Sequence, residues 1–260
     1  MSTASVEPSI GWGVLHLFFT VDHARAAEKG AGKQIVDAVA SLEADGHQAL
    51  TFTVLGHKAD LGVMALGPDL ARLRAFQQEL AGGPLTLVDS YVSLTELSEY
   101  TTTEEQERVR LVDEEGLCGA ELDERLAVWS DRMAHYQEHR IHPQLPRKKV
   151  ISFYPMSKRR EADANWYAQP VEERRRIMAG HARIGRTYAG RIVQLITGSV
   201  GLDDWEWGVT LLADDPVTIK EIVYEMRFDE ASARYADFGP FVTGLVADPL
   251  DALAGVGITS

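Results

Sequence analysis

The feature that most constrains this chain is a run of elements that occurs twice. Trp12 to Val21 is apolar and rich in β-formers, which predicts a strand. Ala24 to Ala44 has helical composition, with Ile35, Ala38, Val39 and Leu42 on one stripe, and Gly46 closes it. Ala49 to Leu55 and Gly62 to Leu66 read as strands around a turn at Ala59 and Asp60. Pro68 and Asp69 open a helix through Leu80, ended by Gly82 and Gly83, and Leu85 to Leu94 is the last strand. The order β-α-β-β-α-β is that of a ferredoxin-like unit. Lys149 to Tyr154, Pro170 to Arg186, Val193 to Ile196, Glu206 to Leu212, Asp215 to about Phe228 and Phe241 to Val246 repeat it. A period of more than about 130 residues means a duplicated domain, not a solenoid.

The predicted fold class is therefore α+β, with ferredoxin-like units over residues 1–110 and 149–260. Two such sheets can join at their edges into an antiparallel β-barrel with helices outside, with room for its own side chains or one ligand. Residues 111–148 read as a helical connector. Thr101, Thr102 and Thr103 before Glu104 and Glu105 signal a helix start. Glu121 to Arg140 is a charged, solvated helix, broken by His139, Arg140, His142, Pro143 and Pro146.

Composition narrows the partners. The chain has 260 residues, 45% of them hydrophobic, enough for a substantial core. A net charge of −13 disfavours nucleic acid and anionic lipid, so an anionic substrate needs a local basic patch. Cys118 is the only cysteine, which excludes an internal disulfide and suits a reducing compartment. Met1 to Ile10 lacks a signal-peptide pattern, and runs such as Val14 to Phe19 are too short to span a bilayer. The expectation is a cytoplasmic protein without a membrane span.

Three places could carry chemistry. Tyr154-Pro155-Met156-Ser157-Lys158-Arg159-Arg160 puts a phenol, a hydroxyl and three cations at a strand end of an acidic chain. Pro155 should end ladder pairing there and turn the chain outward. The set suits a carboxylate, because cations and hydroxyls donate charge-assisted hydrogen bonds to it. A tyrosine beside it can relay one electron or donate a proton. The plainer alternative is a solvated basic loop. His181 shares a helical face with Ile177, Met178, Ile184 and Gly185. An imidazole there, flanked by glycines, can approach a flat cofactor, and haem iron takes such a ligand; otherwise it is a core histidine. Gln194, on the next strand, could hydrogen-bond a peroxide or oxygen ligand, or face solvent. Trp205 and Trp207 alternate with Glu206 and so should share a face. His135, His139 and His142 read as a surface cluster without zinc spacing. Dinucleotide, Walker and nucleophile-elbow motifs are absent.

Longer blocks carry a resemblance. Phe153 to Arg160, Gly198 to Leu211 (Gly-Ser-Val-Gly-Leu-Asp-Asp-Trp-Glu-Trp-Gly-Val-Thr-Leu), Tyr224 to Glu230 and Phe238 to Phe241 resemble the motifs of coproheme decarboxylases in the chlorite dismutase superfamily. The match runs from about Lys149 to Gly244 and more weakly over the strand at Trp12. The resemblance implies a substrate, iron coproporphyrin III (coproheme), that is also the redox cofactor. Hydrogen peroxide is the oxidant, and two propionates become vinyl groups to give haem b in the coproporphyrin-dependent haem pathway. It implies His181 as the proximal iron ligand and Tyr154 as the catalytic radical tyrosine. Substrate contacts would be Arg140, Tyr154, Pro155, Met156, Ser157, Lys158 and Ser232, with Gln194 as the distal glutamine. It further implies a homopentamer and transient contact with coproporphyrin ferrochelatase. Two rivals remain. Chlorite dismutation is disfavoured because Gln194 stands where related enzymes resemble one another in a distal arginine. A haem carrier or sensor would not need Tyr154 beside Lys158.

Overall fold

The computed structural model describes residues 4–28, 30–81 and 83–259. The first half comprises β1 (Gly13–Val21), α1 (His23–Ala26), α2 (Ala31–Ala44), β2 (Gln48–Val54), β3 (Leu61–Gly67), α3 (Leu70–Leu80) and β4 (Leu85–Thr95). Two helices follow, α4 (Glu104–Glu115) and α5 (Gly119–Ile141). The second half comprises β5 (Val150–Lys158), α6 (Val171–Thr187), β6 (Ile192–Gly198), β7 (Trp207–Ala213), α7 (Pro216–Met226), α8 (Glu230–Ala233), β8 (Ala236–Phe238), β9 (Val242–Ala247) and α9 (Pro249–Gly255).

The duplication is visible in the sheet. Strands of the first half lie in the order β4-β1-β3-β2, and those of the second in the matching order β9-β5-β7-β6. Each half offers its second strand to the fourth strand of the other. β2 pairs with β9 from Thr51↔Ala247 to Val54↔Gly244, and β4 pairs with β6 at Leu94↔Gly198 and Thr95↔Thr197. These pairings close an antiparallel barrel, with β8 added on β5. Closure removes most of the open edges that would otherwise invite mispairing.

Alternation along the strands sorts side chains to two faces. Phe18, Phe52, Met64, Tyr91, Ile151, Phe153 and Leu212 fill the interior. Outside, Leu17, Phe19, Leu61 and Val63 pack under α2 and α3. Val150, Tyr154, Ile192, Val209 and Leu211 pack under α6 and α7. Among the described residues no helix is long and apolar enough to cross a membrane.

Several expectations change. The helix expected over Ala24 to Ala44 is two helices. Asp22 caps α1 by accepting from the amides of Ala24 and Arg25, and Gly30, at φ +81°, redirects the chain before α2. Lys29 and the expected stop at Gly82 lie outside the described residues. His139 and Arg140 do not break the connector helix, which runs through them to Ile141. Pro155 does not end β5. It pairs with Gly208 of β7, and β8 joins β5 from Met156 to Lys158. The carbonyl of Pro155 accepts from the Gly239 amide at 2.8 Å, on the side where β9 stops and β8 starts. Its missing N–H falls in that gap, where no ladder bond is lost.

Candidate active site

The pleat of β5 divides its motif. Tyr154, Met156 and Lys158 face the helices, while Pro155 and Ser157 alternate toward the barrel interior. Ser157 Oγ there accepts from the Glu206 amide at 3.2 Å. A cleft of about 500 Å³ lined by Phe18, Tyr91, Phe153, Pro155, Trp205 and Val242 opens on the interior side, so it is separate from the Tyr154 face.

Over that face lies α6, whose inward stripe carries Arg174, Ile177, Met178, His181, Ile184 and Gly185 at helical spacing. His181 Nδ1 lies 3.0 Å from Asp229 Oδ2. Asp229 caps α8, accepting from the Ser232 amide and from Ser232 Oγ, each at 3.1 Å. Burial alone would raise the Asp229 carboxyl, but its bonds from His181 and Ser232 hold it below the ordinary carboxylate range. An ionised Asp229 can only accept, so Nδ1 carries a proton and Nε2 is the nitrogen left to face a ligand.

Lys158 is nearly buried. Its Nζ donates to the Ala231 carbonyl at 3.3 Å and rests 4.3 Å from the Trp166 ring centroid. Burial lowers its pKa to about 8, against the pull of Asp229 and Glu206. Its own amide donates to Glu206 Oε2 at 2.7 Å. An ammonium has three donors, and a carbonyl and a ring face leave capacity for an anion.

Tyr154 is 6% exposed, stacked on Phe241 at 4.3 Å and tilted against Phe238 at 5.8 Å. Burial pushes its phenol up to about 12, with the Arg227 charge opposing, and no hydrogen bond within the described residues fixes the hydroxyl. The phenol is neutral at ordinary pH. Gln194 shares its β6 face with Ile192 and Ile196 and meets α6 at Gly185. A Cβ on Gly185 would stand 3.4 Å from Gln194 Nε2 and 3.5 Å from Met226 Cε, whereas one on Gly180 would meet nothing within 4 Å. Gly185 thus faces Gln194 and Met226 at ordinary contact distance, and Gly180 faces open space.

Arg140, in the last turn of α5, donates through Nη2 to the Glu96 carbonyl at 3.4 Å, and its Nε is buried without a partner among the described residues. The Glu96 carboxylate accepts from Trp207 Nε1 at 3.0 Å, and burial raises its pKa against Trp207 and Arg140. This ties Arg140 to the start of β7. Trp205 and Trp207 do not share a surface: Trp205 precedes the strand and joins the interior cluster beside Pro155 and Gly239, because the turn before β7 breaks the pleat. His142 pairs with Glu138 and lies 5.1 Å from Trp12, and His139 is exposed.

The fold therefore gathers Tyr154, Met156, Lys158, His181, Gln194 and Ser232 around the α6–sheet face, with Arg140 linked through Glu96 and Trp207. Asp229, Trp166 and Glu206 have no site role legible in the sequence, although Asp229 and Glu206 lie inside the blocks Tyr224 to Glu230 and Gly198 to Leu211. Asp229 alone left a legible sign, an N-cap residue before Glu230-Ala231-Ser232.

Comparison with known proteins accords with this architecture. Residues 25–247 match the chlorite dismutase family model.

The chain belongs to the chlorite dismutase family.

Within that family it is 40% identical to the coproheme decarboxylase of Staphylococcus saprophyticus, over 90% of this chain and 91% of that protein. It is 42% identical to a protein of Haloquadratum walsbyi named as heme-binding, over 93% of this chain, and spans only 45% of that protein's length. Among solved structures, a heme-binding protein of Thermus thermophilus superposes with a TM-score of 0.75 at 35% identity, covering 98% of this chain and 97% of that one. Chlorite dismutase of Candidatus Nitrospira defluvii superposes at 0.67 with 16% identity, which supports the duplicated ferredoxin-like fold.

Proposed function

We propose that this chlorite dismutase-family chain is a coproheme decarboxylase, converting iron coproporphyrin III to haem b with hydrogen peroxide as oxidant. The observation that carries the reading is the pairing of a histidine held at Nδ1 by a buried carboxylate with a buried, neutral phenol on the facing strand that has no hydrogen-bond partner among the described residues. Haem iron is commonly held by an imidazole whose other nitrogen donates to a carboxylate. The residues fit an iron porphyrin bearing carboxylates. Arg140 Nε is a buried donor without an acceptor among the described residues, and Lys158 is a cation with spare donors. Ile184, Ile196, Phe238 and Phe241 supply apolar surface for a macrocycle.

When bound, an iron porphyrin would supply the oxidising power together with peroxide, and His181 is the residue that would hold its iron. The protein's task is to direct it. Tyr154, neutral and without a hydrogen-bonding anchor, gives up an electron and a proton together, and its phenoxyl takes a hydrogen atom from the β-carbon of a nearby propionate. Loss of a second electron and of carbon dioxide leaves the vinyl group. Each propionic acid and one hydrogen peroxide yield one vinyl group, one carbon dioxide and two waters. Lys158, Arg140 and Ser232 hold the carboxylates, the local basic patch that an acidic protein needs for this substrate. Gln194 is a neutral donor toward peroxide rather than the distal arginine of chlorite chemistry. We further propose that residues 1–110 serve as scaffold and 149–260 as the porphyrin-binding unit, in a cytoplasmic homopentamer fed by a coproporphyrin ferrochelatase.

The test is to incubate the protein with iron coproporphyrin III and peroxide and weigh the porphyrin. Loss of two carboxyl groups supports decarboxylation. An unchanged porphyrin would mean a carrier or sensor, and consumption of added chlorite instead would mean a dismutase.

A further inference from the structure

A second arginine sits in the same unfinished state as Arg140. Arg174 lies on α6 seven residues before His181, on the same inward stripe. Its side chain is 19% exposed, and its Nε is buried without a hydrogen-bond partner among the described residues. Its Nη1 donates to the Gln169 carbonyl at 2.9 Å. The anion beside it, Glu99 Oε1, stays 3.8 Å from Nε, beyond hydrogen-bonding distance, and the Glu99 side chain is 60% exposed. A guanidinium presents its donors in a fixed fork suited to a carboxylate, so a buried, unfilled edge is a site short of its acceptor.

The surroundings connect that edge to the carboxylate-binding region. Tyr100 follows Glu99 and meets Trp166 edge-on at 6.3 Å, and Trp166 carries Lys158 Nζ on its face. Arg174 and Lys158 thus flank one aromatic pair. Arg140 is held by the other end of the same segment, at the Glu96 carbonyl. Segment 96–100 thus gives Arg140 one long bond and Arg174 the Tyr100 hydroxyl beside a loosely placed, solvent-exposed Glu99 carboxylate.

We propose that Arg174 is a further carboxylate contact for the bound porphyrin, and that Glu99 is the anion it gives up when the substrate arrives. The inference rests on the porphyrin reading above. It answers a need of that reading: the substrate carries propionates that persist in the product as well as the two that react, and each is an anion brought into a partly buried site. Arg140 and Lys158 serve the reacting ends, and Arg174 adds a third cation on the stripe of the iron ligand.

Two variants acting in opposite directions test it. Dissociation constants for iron coproporphyrin III are measured for the unmodified protein, Arg174→Gln, Arg174→Lys and Glu99→Gln. Arg174→Gln should bind about tenfold more weakly, and Arg174→Lys should recover part of the loss. Glu99→Gln should bind more tightly, because it removes the competing anion. The ferric absorption spectrum of each saturated complex should match the unmodified one, since His181 is untouched. Unchanged affinity in Arg174→Gln would overturn the proposal. So would weaker binding in Arg174→Gln without tighter binding in Glu99→Gln, the pattern of a purely structural ion pair. Should Arg174→Gln fail to fold, Glu99→Gln decides alone. Absence of porphyrin binding by the unmodified protein would instead defeat the porphyrin reading itself.

Discussion

Asp229 governs what His181 can be. Its carboxylate fixes the tautomer and makes the imidazole a stronger electron donor at Nε2. Asp229→Asn should keep the α8 cap, because asparagine caps as well as aspartate does. Porphyrin affinity should nevertheless fall by roughly 10- to 100-fold, and the iron's reduction potential should rise, both read by spectroelectrochemical titration. Lys158 provides a pH signature. Its folded pKa, about 8, lies below the ordinary lysine value of 10.5. The buried charge therefore penalises the ligand-free fold fully below about pH 8, and the penalty disappears as pH rises to about 10.5. Lys158→Met should raise the melting temperature of the ligand-free protein at pH 7, by up to about 3 kcal/mol of stability, and make no difference above about pH 10.5. Porphyrin affinity of the unmodified protein should fall as pH rises through 8, when the ammonium is lost. At this scale the sequence revealed residue types and a basic cluster in an acidic chain. It did not reveal that Asp229 and Trp166 complete His181 and Lys158, because the first contact spans 48 positions and the second, though local in the chain, is made by an irregular segment after β5 that no periodic pattern records.

The elements explain what was legible. Strands and helices of both halves followed from periodicity and capping, since alternation and 3.6-residue stripes are local properties. Short pieces escaped. β8 has three residues and α8 four, too few for either pattern. Pro155 has the local signature of a terminator, but its tolerance depends on the gap between β8 and β9, which no local pattern records. The connector is legible down to its cap. Thr103 and Gln106 form a reciprocal capping box at the start of α4. Thr103→Ala should cost about 1 kcal/mol in urea denaturation. An unchanged midpoint would mean that α4 frays without consequence for the fold.

At the scale of the molecule, the two halves stand or fall together. Each leaves an open edge that the other closes, β2 on β9 and β6 on β4. A fragment of residues 149–260 keeps every proposed porphyrin contact except Arg140 but exposes β6, β9 and the interior faces of Phe153 and Leu212. It should aggregate or melt without a cooperative transition; a sharp transition by circular dichroism would show the halves to be independent. The barrel also puts the candidate site on one side of the sheet, with Tyr154 facing α6 and Phe153 facing inward. The account depends most on that phenol. The decisive measurement is the porphyrin mass after peroxide titration of the iron coproporphyrin III complex of Tyr154→Phe. The account predicts normal binding, a spectrum with His181 ligation intact, and a porphyrin that keeps all its carboxyl groups. Conversion to haem b at the rate of the unmodified protein would contradict it.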